Sequence, residues 1–308
     1  MSVFKKKNTI CLLCKDLCKP YIKSRDYNRR TDSKIFNYLC CGNCDHIQIK
    51  NFPRKLQKYY GDEYYQGLNI HDLIKQANKE KFKIELVKKY KKKGKLLEIG
   101  SSNGKFLYLS KMNKFNTSGI EMSKNCCKFI KKEINCNIIC SSDPAKVIKK
   151  IDNQDIFTLW HSLEHLPKPL DCLKTIAKKI NKKGILIIST PNPDSFSFRI
   201  LGKFWPHIDA PRHLNIFSKK NLTNILRKNS FELLEYTTMD PSGVYYNKFS
   251  WYVSLNNIFF RSKFNFNYTK SFKSFFLRGI SEIINLFLFP IEKFYNRGSC
   301  YTAVFIKK

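Results

Sequence analysis

Two clusters of metal-ligating side chains and one glycine-broken loop stand out in this sequence. Cys11-x-x-Cys14 and Cys41-x-x-Cys44 bracket 26 residues. Two such knuckles present four thiolates, the donor set of a tetrahedral zinc with no open position and hence a structural role. Cys11, Cys14, Cys41 and Cys44 are the candidate ligands, with Cys18, Cys40 and His46 as spares. Four of the six histidines lie between positions 161 and 213. His161, Glu164 and His165 stand at i, i+3 and i+4, on one face if a helical turn starts there. His213 comes from a later segment that could reach the same place. Such a group suits a general base, because imidazole takes a proton near neutral pH, or a divalent metal that polarises an acceptor. The bland alternative is that Glu164 and His165 fix a helix start through hydrogen bonds.

The loop is Leu96-Leu97-Glu98-Ile99-Gly100-Ser101-Ser102-Asn103-Gly104, an apolar strand running into two glycines and then a helix. Loops at the carboxyl ends of strands are where open α/β sheets bind ligands, and glycine there lets a ligand press against backbone. A dinucleotide fingerprint is excluded, since its later glycines fall on Ser102 and Lys105.

Positioning these residues takes an alternation of strands and helices. Short apolar runs predict strands at Leu96–Ile99, Thr117–Glu121, Asn137–Cys140, Asp155–Trp160, Ile185–Thr190, Phe231–Thr237 and Tyr301–Ile306. Helices are expected to begin near Gly104, Ser123, Asp143, Pro169 and Ser218, several opened by a capping Ser or Asp. The fold class that follows is α/β, a doubly wound and mainly parallel seven-stranded sheet. Ahead of it, residues 1–60 read as a cysteine-rich zinc module with little periodicity. Residues 61–94 read as a linking region in which His71 to Lys92 form one helix. Residues 95–308 form the main domain, with a helical insertion at about 240–298. In that insertion Phe276, Ile280, Ile283, Ile284, Phe287, Ile291 and Phe294 make one stripe that calls for burial. The segment is too short and too polar for a confident membrane span.

The loop resembles the acidic-x-Gly-x-Gly-x-Gly signature of class I S-adenosylmethionine methyltransferases, with Ser102 in place of the middle glycine. Asp155 to Leu166 and Lys182 to Asn192 are similar to the fourth-strand and Lys-x-Gly-Gly segments of that superfamily, though the second glycine is missing here. The resemblance runs from about Lys95 to Thr237 and resumes in the last strand. With its cysteine module the chain resembles the methyltransferase-23 type and the ubiquinone-pathway O-methyltransferases. It implies S-adenosylmethionine as cofactor, with Glu98, Gly100, Ser102, Gly104, Glu121, Asp143 and Trp160 in its site. Glu121 would hold the ribose hydroxyls, and Asp143 belongs to the adenine-contacting region. In ubiquinone-pathway and small-RNA 2′-O-methyltransferases a similar Glu-x-x-Glu-His stretch binds a divalent metal, and His161 stands here for the first Glu.

Composition narrows the acceptor less. The chain carries 57 basic against 24 acidic residues, a net charge of +33, which attracts nucleic acid or anionic membrane. The lysines are spread out, with Lys5-Lys6-Lys7 and Lys91-Lys92-Lys93 as the tight runs, and Lys, Asn, Ile and Phe all have codons rich in A and T. The expected acceptor is a hydroxyl on a small metabolite, glycan or lipid-linked precursor. RNA, a sugar carbon, and a non-catalytic cofactor-binding role are the alternatives. The start of the chain lacks the apolar run of a signal peptide and six of 12 cysteines crowd into the first 44 residues. Both features lead us to expect a cytoplasmic protein with reduced thiols, and the insertion leaves room for contact with the inner face of the membrane.

Overall fold

The computed structural model describes residues 10–53, 56–60, 69–259 and 272–308. The Lys5–Lys7 run and the insertion residues Arg261, Lys263 and Lys270 lie outside the described residues, as does the side chain of Lys273.

The main sheet comprises β4 (Lys95–Ile99), β5 (Asn116–Glu121), β6 (Asn137–Cys140), β7 (Gln154–Trp160), β8 (Ile180–Pro191), β10 (Phe231–Thr237) and β11 (Cys300–Lys307). Their spatial order is β10-β11-β8-β7-β4-β5-β6. All neighbours are parallel except β11, which runs antiparallel to both β8 and β10. The central strands are apolar throughout, as strands covered on both faces must be. Leu97, Phe157 and Leu186 face one core cluster, and Leu96, Ile156 and Ile185 the other. After β4 the chain winds outward through β5 and β6, then returns to place β7 on β4's other side. That reversal opens a crevice at the carboxyl ends of β4 and β7, where the glycine loop and the His161 segment both begin.

The helices are α3 (Lys105–Met112), α4 (Lys124–Phe129), α5 (Pro144–Ile148), α6 (Pro169–Lys179) and α8 (Lys219–Arg227). Ser123, Asp143 and Ser218 cap their amino ends through side-chain oxygens, as expected. The single helix expected over 71–92 is two, α1 (Ile70–Lys79) and α2 (Lys81–Tyr90), broken at Glu80. Leu73 packs with Ile130 and Ile134, whereas Ile84 and Val87 pack with Ile156 and Val304.

The amino-terminal region contains strands that the sequence did not signal. β1 (Cys18–Ser24), β2 (Phe36–Cys41) and β3 (Ile47–Ile49) form an antiparallel meander, completed by β9 (Asn215–Ile216) from the main domain. Phe36, Tyr38, Ile47, Ile49 and Tyr59 share one cluster with Trp205, Ile208, Leu214, Ile216 and Trp251. Among the described residues, the first 60 positions therefore share their core with the later segments.

The insertion between β10 and β11 is a helical pair, α9 (Pro241–Phe259) and α10 (Phe272–Phe294). The apolar stripe of α10, which the sequence leaves open to roofing a pocket, resting on a membrane surface or packing as a core helix, divides: Ile284 packs against the Trp205 cluster and most of the rest faces outward. Phe276, Ile283, Phe287 and Phe294 are exposed, while Ser281, Asn285 and Glu292 are buried. Among the described residues no helix is long and apolar enough to cross a membrane.

Candidate active site

The glycine loop is locked from two sides. Gly100 has a φ of 78°, and a Cβ there would stand 2.6 Å from Cβ of Ser162, whose hydroxyl donates to the Ile99 carbonyl at 2.7 Å. Only glycine permits that contact between the β4 and β7 loops. Ser102, at the position of the signature's middle glycine, also takes a left-handed φ of 48°. Its N–H donates to Glu121 Oε2 at 2.7 Å, and the Ser123 N–H donates to Oε1 at 2.8 Å. Both oxygens of this buried carboxylate are fixed, and Glu121 helps to line a cavity of about 760 Å³. Burial pushes the Glu121 carboxyl above its ordinary range against the pull of the Ser123, Ser102 and Met122 N–H groups.

The cavity occupies the crevice between the β4 and β7 loops, and its volume is that of a small-molecule site. Glu98, Gly100, Ser102, Glu121, Trp160, His161 and His165 all line it. Trp160 stands edge-on to Phe106, with rings 5.4 Å apart. Glu98 is fully buried, which pushes its carboxyl up to about 8 against the opposing charge of Lys83. Two other candidates stand off the wall. Gly104 takes a left-handed φ of 85° and faces Ile130 and Ile134, where a Cβ would come within 2.6 Å of Ile134, so backbone conformation and packing both call for glycine. Asp143 is exposed and caps α5, while Ser141, Ser142 and Pro144 reach the cavity beside it.

Sequence reasoning missed Glu80, Lys83, Lys105, Tyr60 and Tyr246, which also line the cavity. The Glu80 carboxylate bridges Lys83, at 2.6 Å, and Lys105. The charged run Lys79-Glu80-Lys81 breaks no rule of helix composition, so nothing local marks Glu80.

His161 adopts a φ of 50°, unusual for a residue with a Cβ and a mark of functional sites. Its Nδ1 lies 3.6 Å from Oε1 of Glu164, and its ring meets Tyr246 edge-on at 4.7 Å. The three-residue turn Leu163–His165 tucks Glu164 completely out of solvent. Thr190 Oγ1 donates to its Oε2 at 3.1 Å. Burial alone would raise the Glu164 carboxyl, but the imidazoles of His161, His213 and His165 hold it down at about 2. Glu164 and His213 thus stand behind the cavity wall that His161 and His165 form.

The same group could hold a cation. One ligand atom from each of Glu164, His165 and His213 falls within 4.8 Å of the others. His165 Nδ1 lies 3.0 Å from the Arg212 carbonyl, and His213 Nδ1 lies 2.7 Å from the His207 carbonyl. A carbonyl only accepts, so His213 Nδ1 carries its proton and Nε2 keeps a lone pair, while His165 Nδ1 lies between that carbonyl and the Tyr60 hydroxyl, 2.9 Å away, which can donate or accept.

The four cysteines converge beside the amino-terminal meander. Sγ–Sγ distances are 3.6 Å for Cys11 and Cys44, 3.4 Å for Cys14 and Cys41, and 3.5 Å for Cys14 and Cys44. Zn–S bonds of about 2.3 Å give tetrahedral edges of about 3.8 Å, so the donor set fits a zinc ion. Cys18, Cys40 and His46 are outside this group.

Comparison with known proteins agrees with this geometry. A methyltransferase-domain family model matches residues 71–236. An uncharacterized protein of Methanocaldococcus jannaschii is 25% identical over 183 residues, covering 58% of this chain and 82% of its own. Among solved structures, a SAM-dependent methyltransferase from Archaeoglobus fulgidus shows 18% identity over 80% of this chain and 97% of its own, with a TM-score of 0.48. A putative sarcosine dimethylglycine methyltransferase from Galdieria sulphuraria shows 10% identity over 79% and 92%, with a TM-score of 0.49. The matched region spans the glycine loop, Glu121 and the His161 segment, and this chain belongs to that family, the S-adenosylmethionine-dependent methyltransferases.

Proposed function

We propose that the enzyme methylates a hydroxyl of a small metabolite, glycan or lipid-linked acceptor, with His161 as the general base. The observation that carries this reading is the His161–Glu164 pair at the cavity wall. A buried carboxylate held ionised beside Nδ1 orients the imidazole, the logic by which carboxylates assist histidine bases elsewhere.

S-adenosylmethionine supplies a methyl group already activated on a sulfonium. What remains for the protein is to align the acceptor and take its proton. Glu121 would accept the two ribose hydroxyls, Glu98 would face the cationic end, and Trp160 would wall the site. With S-adenosylmethionine held there, the acceptor oxygen would displace the sulfonium sulfur from the methyl carbon, releasing S-adenosylhomocysteine, and the acceptor's proton would go to the His161 imidazole. Phe52, Leu56, Tyr60 and Tyr246 line the same cavity, an aromatic enclosure suited to a small acceptor more than to a polynucleotide.

His161→Ala should lower turnover on the order of 10²-fold while leaving the affinity for S-adenosylhomocysteine nearly unchanged by calorimetry. Equal turnover in wild type and variant would remove His161 from the chemistry. On the cofactor side, Glu121→Gln should weaken S-adenosylhomocysteine by roughly ten- to a hundredfold, the worth of hydrogen bonds to a charged acceptor. An unchanged dissociation constant would displace the ribose from Glu121.

A second reading rests on Oε1 of Glu164, which accepts no hydrogen bond, and on the rings of His165 and His213, whose Nδ1 atoms meet backbone carbonyls. These three would hold a divalent cation that polarises the acceptor hydroxyl. Loss of activity under a chelator that spares the zinc, with recovery on adding magnesium or manganese, would favour this reading over the metal-free base.

A further inference from the structure

The pair α9–α10 buries Trp251, Val253 and Leu277, yet it also buries a row of polar groups and leaves a large apolar face outside. Along α10 the residues turned to the protein include Ser281, Asn285 and Glu292, and along α9 they include Asn247, Ser250, Ser254 and Asn257. The outward side of α10 carries Phe275, Phe276, Ile283, Leu286, Phe287 and Phe294, with exposures of 72% for Leu286, 74% for Phe287 and 77% for Phe294. In water the arrangement runs the wrong way, since apolar surface stays wet while polar groups are withdrawn. A contiguous apolar face of this kind on a soluble domain marks a contact surface.

We propose that this face docks the enzyme on an anionic lipid bilayer, α10 lying in the plane of the interface. Charge selects lipid over a second copy of the chain. The net charge of +33 opposes bringing two copies together and favours a negatively charged surface. Exposed cations accompany the face: Arg278 and Lys293 on α10, Lys248 on α9, which pairs with Glu282 of α10 at 2.8 Å, and Arg199 on α7 (Phe196–Leu201) and Lys203 on the turn that follows, both on segments packed against α9. Lysine and arginine beside a stripe of Phe, Ile and Leu is the composition of helices that lie in the headgroup region. The length and polarity of α10 exclude a crossing, so the docking is peripheral. The face also connects to the cavity, because α9 carries Tyr246 against His161. Docking through α10 sets that cavity wall beside the lipid, where an acceptor with a lipid tail would arrive.

Flotation of the full chain with vesicles tests the surface independently of catalysis. Binding is expected to phosphatidylcholine vesicles containing phosphatidylglycerol, to weaken with salt, and to be weak on phosphatidylcholine alone. Replacing Phe276, Ile283, Leu286 and Phe287 together by serine should lower the partition coefficient about tenfold or more. These side chains are exposed, so thermal melting and S-adenosylhomocysteine affinity should be unchanged. Failure of the wild type to float with anionic vesicles, or equal flotation of the fourfold variant, would overturn the proposal. So would a wild-type dimer that becomes monomeric in the variant without either floating, which would make the face a contact between copies.

Discussion

Protein purified without chelator is expected to carry one zinc per chain, and Cys41→Ser to lose it together with most of the turnover. The four thiolates are already within tetrahedral reach, and neighbouring groups hold them there. Gln48 accepts from the Leu12 N–H at 2.8 Å and donates to the Ile10 carbonyl at 3.1 Å, tying the first knuckle to β3. A structural zinc contributes about 10–16 kcal/mol of apparent binding free energy at neutral pH. The meander shares its core with the later segments. The loss should travel. Ile47 and Gln48 pair with Ile216 and Asn215, and His46 Nε2 meets Asn215 Oδ1 at 3.1 Å, two residues beyond His213. Tyr60 meets His165 Nδ1 at 2.9 Å. Turnover should therefore fall more than cofactor affinity, because the glycine loop and Glu121 hang on β4 and β5. Elemental analysis finding no zinc, or a Cys41→Ser protein that melts and turns over like wild type, would refute the expectation.

How far the sequence could be read follows from where each element finds its partners. Buried parallel strands are apolar on both faces, so Leu96–Ile99 or Ile185–Ile188 stand out without reference to anything distant. The same holds for capping residues such as Ser123 and Ser218, which act within a few positions of themselves. The glycine loop and Glu121 were legible because one strand connection sets their separation. β1 to β3 were not, because their apolar residues answer to Trp205, Ile208 and Ile216 more than 150 positions away. Gly104 shows the limit of reading a motif by type. Its neighbours Ile130 and Ile134 explain the glycine as well as a ligand would. The stripe on α10 was visible, but which way it points depends on the polar face of α9 and on the polar residues that α10 itself buries.

The guanidinium of Arg212 is the residue whose removal should cost stability most directly, about 3–5 kcal/mol for Arg212→Met. It is fully buried. Nη2 donates to Asp26 Oδ1 and to Asp209 Oδ1, each at 2.6 Å, and Nε donates to Asp209 Oδ2 at 2.8 Å. Nη1 reaches Asp26 Oδ2 and the Tyr59 carbonyl, both at 3.2 Å. Asp26 lies in the amino-terminal meander region and Asp209 in the main chain of the catalytic domain, so one cation fastens two parts of the molecule. Asn28 adds a bond to Asp209 Oδ1 at 2.6 Å. Burial opposes ionisation of Asp209, yet the charge and hydrogen bonds of Arg212 hold its carboxyl well below the usual range. A depressed carboxyl adds stability that is present above its unfolded value near 3.8 and lost on acidification below it. Without the guanidinium the two carboxylates are buried and unpaired, and their protonation becomes favourable. The deficit of Arg212→Met should therefore be largest at neutral pH and shrink as the pH falls toward 4. Arg212→Lys should recover little, since an ammonium does not make the forked contacts. Adding Asp26→Asn and Asp209→Asn to Arg212→Met should restore part of the loss. Urea unfolding across pH measures all four proteins. A pH-independent deficit would assign the role of Arg212 to packing alone, and the absence of any deficit would leave the fastening to β3 and β9. The Arg212 carbonyl anchors His165 and His213 follows it in the chain, so the same variants read whether the fastening reaches the site through a fall in turnover at unchanged cofactor affinity.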